Sequence, residues 1–137
     1  MNKHDHFEEI EHTADIAIRV RGRDLAELFA NAAYGMACQL ADPDAVTQTN
    51  EQQIELDAYD TESLLVSWLE ELLYLGEREE CIFAVFDVLQ VSPTQLRATV
   101  RGGPVEEHGA HIKAVTFNEL EIVRTDAGYE TTVVFDV

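Results

Sequence analysis

Two periodicities alternate along the chain. Ile16, Ile18 and Val20 interleave with Ala17, Arg19 and Arg21, the period-two pattern of a strand with one buried face, and Gly22 closes it. Leu25, Leu28, Phe29, Ala32, Met36 and Leu40 then recur by threes and fours. This predicts a helix over residues 24–41, with Asp24 and Glu27 placed as a capping-box-like start. Residues 42–53 are polar and contain Pro43, which predicts a loop before a second alternation at Ile54, Leu56 and Ala58. Leu64, Leu65, Trp68, Leu69, Leu72 and Leu75 line one face of a second helix predicted to end near Gly76, with Glu62, Glu70 and Glu71 on the opposite side.

The remaining segments read as strands. Ile82 to Val91 is apolar on both sides of the pleat apart from Asp87 and Gln90, the pattern of a central strand. Ser92-Pro93-Thr94 turns it into an alternating partner, Leu96, Ala98 and Val100, that stops at Gly102-Gly103-Pro104. After a polar loop holding His108 and His111, Ile112–Val123 and Tyr129–Val137 form a second hairpin about Asp126-Ala127-Gly128. The predicted architecture is α+β: a two-layer sandwich with both amphipathic helices on one face of a mostly antiparallel or mixed sheet of about six strands. At 137 residues the chain forms one domain, 1–137.

Charge narrows the function classes. Against 27 acidic residues stand 9 basic ones, a formal net charge of -18, which repels a phosphate backbone; direct nucleic-acid binding is not expected. A basic protein partner or a divalent cation suits such a surface, although acidity also serves plain solubility. Cys38 and Cys81 show no metal-ligand spacing and read as reduced core or near-core residues. The start lacks the apolar core of a signal peptide and no later run approaches the length of a membrane span, so a soluble, cytoplasmic protein is expected. Phosphate loops, zinc signatures and nucleophile elbows are absent from the sequence, and Ser63, Ser67 and Ser92 suggest no triad, so no motif indicates an enzyme.

Carboxylates at strand ends carry the candidate chemistry. Asp15 begins the first strand, and Asp136 with the α-carboxylate of Val137 ends the last; as antiparallel neighbours these strands would bring the three together. An all-oxygen set selects a hard cation, Ca²⁺, Mg²⁺ or Mn²⁺. The plainer alternative leaves Asp15 accepting turn amides and Asp136 merely solvated. Asp60, before Thr61-Glu62-Ser63, is an N-cap or a further ligand. A right-handed strand–helix–strand unit would send Asp60 to the edge opposite Asp15, unless the loop 42–53 recrosses. His12 reads as a local hydrogen-bonding residue or a ligand, and His4-Asp5-His6 as an adventitious metal binder. Lys113, the only lysine beyond Lys3, is a snorkelling strand residue or a contact to a phosphate or an acidic partner.

Four blocks resemble the archease family: Glu11-His12-Thr13-Ala14-Asp15-Ile16, the helix from Asp60 to Tyr74 with Leu64-Leu65-Val66-Ser67-Trp68-Leu69, Ile112-Lys113-Ala114-Val115-Thr116-Phe117, and Phe135-Asp136-Val137. They occur in family order across nearly the whole chain. The resemblance implies a protein cofactor of an RtcB-type RNA ligase, promoting its guanylylation and multiple turnover in tRNA splicing or RNA repair, and not itself an enzyme. It implies a divalent cation, Ca²⁺ first with Mg²⁺ or Mn²⁺ as alternatives, held by Asp15, Asp136 and the Val137 terminus, with Asp60 matching a further acidic position. His12 and Lys113 become candidate partner contacts. Phe117-Asn118 stands where family members often have Tyr-His, and Glu70 replaces an asparagine; neither touches the metal carboxylates. A chaperone-like modulator of RNA-processing proteins and a small carboxylate-metal phosphohydrolase are the alternative classes.

Overall fold

The computed structural model describes residues 6–10 and 15–137. Among these, eight strands and two α-helices follow one another as β1 (Phe7–Ile10), β2 (Ile16–Gly22), α1 (Leu25–Leu40), β3 (Asn50–Asp57), α2 (Thr61–Glu79), β4 (Ile82–Val91), β5 (Gln95–Gly103), β6 (Ala114–Thr116), β7 (Val123–Thr125) and β8 (Gly128–Asp136). The α+β class and the antiparallel pairing are as expected, but the strands divide into two sheets. One runs β1-β2-β8-β6 with β7 also on β8; the other runs β3-β5-β4. Both helices touch both sheets: α1 lies on β2 and β4, and α2 on β3, β4 and β6.

Trp68 is the centre of this packing. It is fully buried, its indole N–H donates to the Phe29 carbonyl of α1 at 2.9 Å, and its ring meets Phe86 of β4 edge-on with centroids 6.3 Å apart. One residue thus joins both helices and the smaller sheet, surrounded by Leu28, Leu64, Leu65 and Leu69, all without exposed surface.

The helix starts agree with the sequence and the ends less so. Asp24 accepts from the Glu27 amide at 2.8 Å, while Glu27 reaches back to the Arg23 amide at 3.1 Å and its guanidinium at 2.7 Å. That pairing holds the Glu27 carboxyl below its usual range. At the other end α2 runs past Gly76 to Glu79, and Glu80 takes the left-handed cap at φ 52°. Gly76 serves close approach instead, because its carbonyl accepts from the Cys81 amide at 2.9 Å and a Cβ would press on the Cys81 carbonyl.

Three strand expectations change. β3 begins at Asn50, inside the predicted loop, because its polar Asn50 to Gln53 pair with Thr99 to Gly102 of β5. β4 is an edge strand although its sequence reads as central; α1 covers its apolar side, and irregularities between Phe83 and Val85 and between Val88 and Gln90 interrupt its ladder. The arm predicted over Ile112–Val123 is split into β6 and β7, separated by a turn in which the Leu120 amide donates to the Phe117 carbonyl. The strand β1, with only two apolar positions among its four residues, pairs Phe7 with Val20 and Ile10 with Ala17.

Candidate functional site

The edge where β2 begins and β8 ends is set by register. β2 and β8 are antiparallel with Ile16 opposite Phe135 as the terminal pair, so Asp15, which precedes Ile16, and Asp136, which follows Phe135, adjoin the same end of the ladder. Two carboxylates so placed repel one another, and a shared cation relieves that repulsion. Val137 follows Asp136 directly and is exposed.

On its other side β8 meets β6, with Ala114 opposite Asp136 and the Lys113 amide donating to the Asp136 carbonyl at 2.7 Å. Lys113 is therefore tied by its backbone to the residue that supplies one of the carboxylates. Its ammonium makes no ion pair among the described residues, whereas Arg19, Arg21, Arg23, Arg78 and Arg101 each meet a glutamate.

Asp60 stands apart. Its carboxylate accepts from the Ser63 amide at 2.7 Å and caps α2, whose first turn also sends the Thr61 hydroxyl to the Pro93 carbonyl and accepts the Ile122 amide on Glu62. The topological objection to joining Asp60 with Asp15 does not arise, because β2 and β3 lie in different sheets. Asp60→Ala is expected to cost about 1 kcal/mol of stability through the lost cap, read as a melting temperature lower by roughly 4 °C in calorimetry.

His12 lies outside the described residues, as do His4 and Asp5. His6 stacks at a tilt on Tyr34 of α1, with centroids 4.4 Å apart. Among the described residues no three His, Cys, Asp or Glu side chains gather as a metal cluster, so a cation at the Asp15–Asp136 edge would draw on main-chain oxygen or on groups beyond them. Cys38 is half-buried and Cys81 buried; burial, then Glu79, pushes the Cys81 thiol up, away from reactivity.

The model described as Archease protein family (MTH1598/TM1083) matches residues 7–137. The chain belongs to the archease family. It is 38% identical to the Methanosarcina mazei protein archease, over 96% of this chain and 95% of that one, and 39% identical to a Saccharolobus islandicus protein archease, over 96% and 98%. The fold agrees with the solution structure of Methanobacterium thermoautotrophicum protein 1598, at TM-score 0.79 and 31% identity over 96% of this chain and 98% of that one. It also agrees with a crystal structure of an archease, possible chaperone, from Thermotoga maritima, at TM-score 0.70 and 25% identity over 93% and 94%.

One feature of this archease edge escaped the sequence reading. Residues 104–113 form a strap without regular structure that is fastened at its middle and at its far end. Gly109 and Ala110 donate to the Leu40 and Gln39 carbonyls at 2.7 and 2.8 Å, satisfying the exposed end of α1, and Lys113 holds Asp136. Gly109 is the signal that was available: a Cβ there would collide with the Gln39 carbonyl oxygen.

Proposed function

We propose that this protein is a cation-dependent protein cofactor of an RtcB-type RNA ligase, promoting guanylylation and repeated turnover of the ligase in the cytoplasm during tRNA splicing or RNA repair. What supports the reading is that Asp15 and Asp136 adjoin the same end of the β2–β8 ladder, at an edge that also carries Val137 and Lys113, in a chain that matches the archease family over its length.

The donor chemistry fits a hard divalent cation, since the edge offers carboxylate and main-chain oxygens and no thiolate. Asp15, Asp136 and the Val137 main-chain carboxylate would hold it, Ca²⁺ first and Mg²⁺ or Mn²⁺ as alternatives. A bound cation supplies positive charge to the oxygens of a transferring phosphoryl group. The chain's own residues do the rest: the acidic surface steers it toward a basic protein rather than toward bare RNA, and Lys113 offers its ammonium to a phosphate or carboxylate of the partner. The protein acts as an accessory and performs no bond-breaking step itself.

Guanylylation and multiple-turnover ligation by the ligase of the same organism, with and without this protein, test the reading. Stimulation that disappears with a chelator and returns with the cation is the expected result; a competent ligase indifferent to the protein would sink it. A chaperone-like reading draws on the large apolar side chains left in solvent, Tyr59 at 86% and Phe117 at 59% exposed. It requires prevention of aggregation of an unfolding client, with no dependence on the cation.

A further inference from the structure

A cavity of ≈ 520 Å³ opens between the second halves of α1 and α2, the start of β4 and the strap 104–113. That volume lies within the range of small-molecule sites. Half-buried apolar side chains face it from three elements, Leu40 of α1, Leu73 of α2, and Ile82 and Phe86 of β4. Charges of opposite sign stand at its walls. Glu77 and Glu80 belong to the end of α2, and Lys113 to the end of the strap.

None of these three charges is neutralised within the protein: among the described residues Glu77 and Glu80 form no ion pair, and neither does Lys113. Glu77 and Glu80 stand at the C-terminal end of α2, whose last-turn Arg78 is paired with Glu79 rather than with either of them. A ligand bearing only an anion would meet the two carboxylates, and one bearing only a cation would meet the ammonium. A molecule with an ammonium at one end, a carboxylate at the other and a hydrocarbon body between satisfies both walls and the apolar floor together.

We infer that this cavity is a binding site for a small zwitterion with an aliphatic or aromatic body, its ammonium directed to Glu77 and Glu80 and its carboxylate to Lys113. The site is separate from the Asp15–Asp136 edge in its ligand chemistry and adjoins it through Lys113, whose backbone is bonded to Asp136.

A series of ω-amino carboxylic acids of increasing chain length, with the matching alkylamines and alkylcarboxylates, tests this by nuclear magnetic resonance titration of the full chain without added divalent cation. The best amino acid of the series is expected to bind ~10-fold or more tightly than the amine or the carboxylate of the same length, with shifts centred on Leu73, Ile82 and Phe86. Lys113→Met should erase its advantage over the amine, and Glu77→Gln combined with Glu80→Gln its advantage over the carboxylate. All three sites are exposed, so the variants fold, and their unshifted spectra check it. Equal binding of all three ligand types, shifts spread over the acidic surface, or no saturable binding of any member would overturn the assignment.

Discussion

Asp136→Ala is expected to lower divalent-cation affinity roughly a hundredfold, about 2.7 kcal/mol, and to abolish stimulation of the ligase, while leaving the fold intact. In the proposed site this carboxylate adjoins the same ladder end as Asp15, and a hard cation held there would lose a charged donor. The stability cost without cation is within ~0.5 kcal/mol, because Asp136 is exposed at the end of β8 and its removal relieves repulsion with Asp15. The two effects separate in a thermal scan. At a cation concentration of 100 times its dissociation constant the wild-type protein gains ~2.7 kcal/mol of stability by mass action, and the variant gains ~0.4 kcal/mol. Asp15→Ala should behave alike, and a chain extended beyond Val137 should lose part of the affinity by displacing the terminal charge. An equal cation-induced rise in melting temperature in Asp136→Ala and wild type would remove the edge as the binding site.

Trp68→Ala carries the largest expected effect on stability, a loss of about 4 kcal/mol. The indole is fully buried and meets α1 and β4, so truncation leaves a cavity between the helices and the smaller sheet and deletes the hydrogen bond to Phe29. Against the 5–15 kcal/mol of an ordinary domain that is a large share, and the melting temperature should fall by about 15 °C. Trp68 is the only tryptophan, so denaturant unfolding of the variant has to be followed by circular dichroism rather than fluorescence. A loss near 1 kcal/mol would mean that the two sheets hold the helices without this contact.

Local chemistry was legible in the sequence, and placement between segments was not. Asp24, Glu27 and Asp60 announced the helix starts because a cap is a bond between residues three apart. Gly76 misled because glycine marks a helix end only where the backbone must turn left-handed, and here Glu80 makes that turn. β4 misled because apolar residues on both sides of a pleat report covering on both faces and say nothing about which edge is paired. Period two also cannot say how many sheets a set of strands forms, so the division into two sheets stayed hidden. The antiparallel neighbourhood of β2 and β8 was legible as a conditional, and it holds. The strap was not, since its bonds to Gln39, Leu40 and Asp136 come from backbone amides that any residue type supplies.

The pairing of β2 with β8 also sets a schedule for biosynthesis. Two helices and five strands are translated after β2 leaves the ribosome and before its partner emerges. During that interval the Ile18 and Val20 face has only α1 and β1 to shield it, and one whole backbone edge of β2 waits open. The smaller sheet, built from β3, β4 and β5 with a tight turn at Ser92, can close meanwhile from neighbouring segments. The carboxylate edge is therefore assembled last, so that a stalled or truncated chain already holding α1, α2 and the smaller sheet would still lack it.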